Sequence, residues 1–252
     1  MKALYSGLLI MLLAISFGLA EEADSLFIMK GDSAYKAFDN ASALEWYSEA
    51  YKADSSNYEA AWKLSRAYVD VGETLEGDEM HAYYKSAEYF ARRAIELNET
   101  GSNGHLFLSI ALGRVALNVG AKERMRLAKE IKMEADKAIE YDPGNDIAHH
   151  VVGRWHRRLA NLSWVEKGFA NIFLGGIPEE ATMENAVASF KKAIELNPEK
   201  ISHHLELGIT YREMDKNELA VAQFQKCLEL PETDSDDAGH KVNAREYLKE
   251  LN

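Results

Sequence analysis

Five segments of this chain share one pattern, and it constrains the possible folds more than any other feature. They are ALEWYSEAYKADS (43–55), AEYFARRAIELNE (87–99), IKMEADKAIEYDP (131–143), AVASFKKAIELNP (186–198) and AVAQFQKCLELPE (220–232). Each carries two apolar or small residues seven positions apart, with a bulky residue close by. Residues seven apart lie on one face of an α-helix. The second of each pair is small (Ala50, Ala94, Ala138, Ala193, Cys227), so another helix can approach it closely. Each segment ends in an acidic residue, Asn or Pro, where a helix stops.

A helix with such a seam needs a partner, and one precedes each segment. These are Ala23 to Phe38 with Gly31 and Tyr35, Tyr58 to Val71 with Leu64 and Tyr68, and His105 to Val119 with Leu112 and Gly113. Two more are Ile147 to Ala160 and Ile201 to Met214, the latter with Leu207, Gly208 and Tyr211. A helix pair repeated every few dozen residues, with Ala, Phe, Ala and Pro at these offsets, is the tetratricopeptide pattern. The spacing from Ala193 to Cys227 is 34 residues, the period of the unadorned repeat. The final stretch, Asp236 to Leu251, can cover the open end of a stack with Val242, Tyr247, Leu248 and Leu251. No stretch shows the alternation of a strand. The sequence therefore predicts an all-α, tetratricopeptide-like α-solenoid of about five helix pairs plus a C-terminal capping helix.

The other spacings are longer: 44 residues from Ala50 to Ala94 and from Ala94 to Ala138, then 55 from Ala138 to Ala193. The extra residues fall between the two helices of a pair. They are the polar run 71–79, residues 118–123 with a lengthened basic helix, and the apolar insert NLSWVEKGFANIFLGGIP (161–178). Insertions in solenoids map to one edge, often a binding edge. The insert carries Leu162, Trp164, Val165, Phe169, Ile172, Phe173, Leu174 and Ile177. Exposed, these would mark a partner or membrane site. Folded back, they would form an extra packing helix ended by Gly175 and Gly176, which is the expectation.

Composition bounds the function. A net charge of −12 and a pI near 5.2 argue against nucleic acid as a partner. Cys227 is the only cysteine, so no intrachain disulfide forms. It occupies a small-residue slot and reads as a buried filler. Lys2, the apolar run from Leu8 to Leu19 and the small residues Gly18 and Ala20 read as a signal peptide over 1–20. That leaves a helical-repeat domain over 21–252 and predicts an exported protein, periplasmic or secreted. No phosphate loop, Ser-His-Asp order or paired-carboxylate site is visible, so no enzyme and no cofactor are expected.

Candidate ligand-binding residues cluster late in the chain. Arg154, Arg157 and Arg158, with Arg114 one repeat earlier, can form a cationic strip. First helices line the concave face of a solenoid, and the Arg fork suits carboxylate or phosphate. The alternative is salt-bridging to acids on neighbouring helices. Trp164 opens the insert and is the fifth candidate. His149, His150, His156, His203 and His204 form no metal motif and read as packing positions, so no metal site is expected. The expected partner is a protein or peptide on the concave face. A phospholipid held by the Arg strip and the insert is the alternative.

The run from His149 to Pro198 also carries a family resemblance. A His-rich helix contains Gly153-Arg154-Trp155, Leu162-Ser163-Trp164 opens the insert, and Gly-Gly-Ile-Pro closes it. A helix with Phe190, Ala193 and Pro198 follows, and LELGITYREMDKNELAVAQFQKCLELPETDSDD fits as well. Over roughly Leu44 to Leu251 the chain resembles the regulators of microtubule dynamics, tetratricopeptide-like proteins. The resemblance implies a cytosolic or organelle-surface protein associated with microtubules, and in one branch a phospholipid-binding membrane tether. The chain departs from that pattern in its export-like start and its acidic tail.

Overall fold

The computed structural model describes residues 24–174 and 176–251. The segment read as a signal peptide, and Gly175, lie outside them. The described secondary structure is helical throughout. In order the helices are α1 (24–36), α2 (Asn40–Ala53), α3 (Tyr58–Gly72), α4 (Gly77–Leu97), α5 (Ser102–Ala116) and α6 (Ala121–Tyr141). Then come α7 (Asp146–Ala160), α8 (Trp164–Leu174), α9 (Met183–Leu196), α10 (Ile201–Glu213), α11 (Asn217–Glu229) and α12 (Asp237–Leu251). Two compact units divide after Glu99. The first holds the pairs α1/α2 and α3/α4. The second holds α5/α6, α7/α9 and α10/α11, with α8 inserted and α12 at the end. This is the expected tetratricopeptide-like α-solenoid, with five helix pairs.

One size rule governs the pairs. The eighth residue of each first helix is small: Gly31, Ser65, Ser109, Gly153 and Gly208. Three residues before the small residue of each second helix stand Tyr47, Ala91, Ala135, Phe190 and Phe224, all fully buried. Glycine goes with an aromatic ring, and serine with alanine. A Cβ on Gly153 would lie 2.8 Å from the Phe190 ring, and one on Gly208 would lie 2.6 Å from that of Phe224. Gly31 is closed in the same way by Tyr47. In the α3/α4 pair the Ser65 hydroxyl donates to the Ala87 carbonyl at 2.8 Å. The register corrects one expectation. Ser109, fully buried, is the α5 counterpart, whereas nothing lies within 4 Å of a Cβ built on Gly113.

The longer repeats are also explained. The extra residues of the 44-residue spacings form helix and not loop: α4 and α6 run 21 residues, against 14 in α2 and α9 and 13 in α11. Seven added residues are two turns and keep the same face inward. Gly72 and Tyr84 accordingly repeat the glycine–ring contact two turns away, with a Cβ on Gly72 2.8 Å from that ring.

Polar ties fix neighbouring pairs. The Asn57 amide donates to Asp24 at 2.8 Å, and the Asn145 amide donates to the Ser102 hydroxyl at 2.9 Å. Both asparagines also cap their own helices, accepting from the N–H of Ala60 and Ala148. In the first unit Lys63 is almost fully buried yet pairs with Asp32 at 2.6 Å and Glu59 at 2.7 Å. The Tyr47 hydroxyl donates to the same Asp32 carboxylate at 2.7 Å.

At the chain's end α12 packs on α10 and α11. Ala244 is fully buried there, Tyr247 stacks on Phe224 at 5.0 Å, and Leu248 and Leu251 join the same core. Val242, expected inside, is 49 % exposed. Cys227 is fully buried in this core, and burial pushes its thiol up to about 12. A thiol held that high is protonated and unreactive near neutral pH.

Candidate interaction surface

The second unit contains all five candidate residues, and it does not assemble them into one site. Arg157, on the last turn of α7, is mostly buried and pairs with Glu206 of α10. Its Nη1 also donates to the Glu206 carbonyl at 3.2 Å, and its Nε lies 3.7 Å from Glu213. Asn161 braces that second carboxylate, donating at 2.7 Å. Arg154, half-exposed, has its Nε 3.6 Å from the same Glu206. The face of α7 therefore meets an acidic face of α10, and the two neutralise each other. Arg158 is exposed and turned elsewhere. Its charge acts on Glu166 at the start of α8, whose carboxyl is held below its usual range chiefly by hydrogen bonds from Ser163. Arg114 sits half-buried in the last turn of α5.

The histidines serve the helix joints. Asp146, the first residue of α7, accepts from His203 Nε2 at 3.0 Å and from the Asn197 amide at 3.0 Å. His203 Nδ1 lies 2.9 Å from His150 Nδ1. With its Nε2 proton given to the carboxylate, a neutral His203 offers Nδ1 as acceptor, so His150 Nδ1–H donates. Burial lowers the basicity of both rings; the cations around His150 add to its shift, and Asp146 opposes that of His203. Burial raises the Asp146 carboxyl, but its hydrogen bonds from His203 and Asn197 outweigh that, and it stays below its usual range. His204 is held between Gln223 Oε1 at 2.8 Å and the Pro198 carbonyl at 3.0 Å. His149 instead reaches the Pro143 carbonyl at 3.2 Å, and His156 is buried.

The insert divides. It forms α8, which packs on α6. Leu162 and Ala170 turn inward, and Ile177 joins a core made with Trp155, Leu159 and Ala181. Trp155 anchors that core, its Nε1–H donating to the Ala128 carbonyl at 2.7 Å. The other side of α8 is bare: Trp164 is 84 % exposed, Ile172 75 % and Val165 53 %. The expected fold-back thus holds for one face only. No described helix is long and apolar enough to cross a membrane. In the first unit a shallow cleft between α2 and α4 is lined by Trp46, Glu49, Lys52, Tyr68 and Tyr83. Sequence reading missed this cleft, because the pairing of α3 with α4 is what brings Tyr68 against Tyr83 (5.5 Å).

Residues 21–252 match the profile of a family described as regulator of microtubule dynamics protein 1-3. Regulator of microtubule dynamics protein 3 of Bos taurus is 32 % identical over 193 residues, which are 76 % of this chain and 41 % of that protein. Regulator of microtubule dynamics protein 1 of Bos taurus is 30 % identical over 200 residues, 78 % of this chain and 62 % of that protein. The chain thus spans about two fifths of the first of these relatives and somewhat over three fifths of the second. A thermophilic TPR protein of Thermus thermophilus superposes with a TM-score of 0.69 at 18 % identity, covering 90 % of this chain and all of the other. That likeness concerns the fold alone. The relatives correct the expected address. They are mammalian proteins named for microtubule dynamics, and microtubules are polymers of the cytosol, so a periplasmic or secreted location is withdrawn. An apolar run of a dozen residues is a compositional signal, and composition alone does not establish export.

Proposed function

Because the chain belongs to the family of regulators of microtubule dynamics 1 to 3, we propose that it is a non-catalytic helical-repeat scaffold whose second unit docks a protein partner on α8. One observation carries this reading: α8 interrupts the α7/α9 pair and turns Trp164, Val165 and Ile172 to solvent. A helix that packs one face on the fold and leaves the other apolar is a binding element. Lys167 on α8 and Arg158 at the end of α7, both exposed, favour an acidic rim on the partner. Arg154 and Arg157 contribute less than their charge suggests, because Glu206 and Glu213 already hold them. Association with microtubules belongs to this reading as the family's namesake role.

A second reading rests on the same helix. An apolar face edged by Arg158 and Lys167 also suits the surface of an anionic phospholipid bilayer. One experiment separates the two. The double variant Trp164→Ser/Ile172→Ser is compared with the unaltered chain in tubulin co-sedimentation and in flotation with phosphatidylserine vesicles. Loss of co-sedimentation alone supports protein docking. Loss of flotation alone supports the lipid reading. Unchanged behaviour in both removes α8 from the function.

A further inference from the structure

A second chemical feature lies at the start of α12, away from α8. Asp237 is fully buried. Its Oδ2 accepts from the backbone N–H of Thr233 at 2.8 Å and of Asp234 at 2.9 Å, and from the Thr233 hydroxyl at 3.4 Å. Its Oδ1 is buried with no hydrogen-bond partner. That atom faces His240 Nδ1, which is also buried without a hydrogen-bond partner, 3.6 Å away. This separation is too long for a hydrogen bond. Asp236 stands beside the same ring, its Oδ2 3.4 Å from His240 Nε2. Donor atoms of the three residues all lie within 4.8 Å of one another.

The nearby lysines do not compensate these carboxylates. Lys200 pairs with Asp234, and Lys241 lies 3.5 Å from Glu232. A buried anionic oxygen left without a donor is costly. Two ligands of a tetrahedral Zn²⁺, each about 2.1 Å from the ion, stand about 3.4 Å apart. The two unpartnered atoms are close to that spacing. One imidazole nitrogen with carboxylate oxygens suits a transition metal better than Mg²⁺ or Ca²⁺, which take oxygen ligands alone.

We propose that Asp236, Asp237 and His240 bind a divalent transition-metal ion at the first turn of α12, with water completing its coordination. The ion would give the Asp237 Oδ1 its missing partner and tie the capping helix to the loop before it.

The test is isothermal titration of the full chain, stripped of metal, with Zn²⁺ alone, and with Mg²⁺ as comparison. The variants are His240→Gln and Asp236→Asn. Both residues have exposed edges, and Asn serves as well as Asp at the residue before a helix, so circular dichroism should show unchanged helix content. Asp237 is avoided, because its Oδ2 shapes the turn. One Zn²⁺ per chain, weakened at least about tenfold in each variant with Mg²⁺ silent, is expected. Zn²⁺ bound equally well by both folded variants overturns the proposal, because the ion then sits elsewhere. No heat from the unaltered chain also overturns it, and leaves the three side chains as a local polar cluster.

Discussion

At the residue scale, the fold rests on matched sizes across each helix pair. Gly153 and Phe190 fill one volume between them, and Ser65 with Ala91 occupies the equivalent register in another pair. Gly153→Ala places a methyl 2.8 Å from a fully buried ring. The ring must shift, and we expect a loss of about 1–3 kcal/mol in urea unfolding. Phe190→Leu on that background should return part of the loss by making room. Gly113→Ala is the internal comparison. It meets open space in α5, so it should be neutral or stabilise by about 0.5–1 kcal/mol. Equal losses at the two positions would refute the size rule. Sequence reading recognised Gly31, Gly153 and Gly208 but chose Gly113 over Ser109. A glycine is conspicuous in a sequence, whereas the position itself is defined only by what packs against it.

At the scale of the element, α8 and α12 show how far hydrophobicity predicts burial. Both are amphipathic in sequence, and in each an apolar residue points outward: Trp164 in α8 and Val242 in α12. Eleven residues of mixed polarity do not specify which face finds a neighbour. Trp164→Ala should therefore change stability little, within about 0.5 kcal/mol. Ala193→Trp, at a fully buried helix contact, should cost about 3 kcal/mol or prevent folding. Thermal melts ranking these two in the reverse order would mean that α8 is buried and α9 is loose. The lengthened helices α4 and α6 teach the same lesson from the other side. The polar run 71–79 reads as an insertion between two helices, but only a short turn separates α3 from α4 and the extra residues extend α4, whereas the lengthening of α6 is legible in its basic run.

At the scale of the whole molecule, buried imidazoles link stability to pH. His150, His156 and His203 are all held below their ordinary basicity, chiefly by burial. The unfolded chain binds these protons near pH 6.5 and the folded chain only at lower pH. Between those limits the unfolded state carries more protons, so stability rises with pH and falls as the solution is acidified below about 6.5. Urea midpoints of the full chain at about pH 7.5, 6.5 and 5.5 should decrease in that order, and His150→Asn should flatten the lower part. A midpoint constant down to about pH 5.5 would show that these rings are not buried neutral. The sequence by itself determined the helix class, the five pairs and the small-residue seam, because periodicity and residue size are local properties that survive in one dimension. It also determined the family, through the run from His149 to Pro198. Only the tertiary structure decided that Arg154 and Arg157 answer Glu206, that Asp146 holds His203, and which face of α8 stays bare. Those outcomes depend on which helices meet, across some fifty residues of intervening chain, and charge or apolarity read along a sequence does not carry that information.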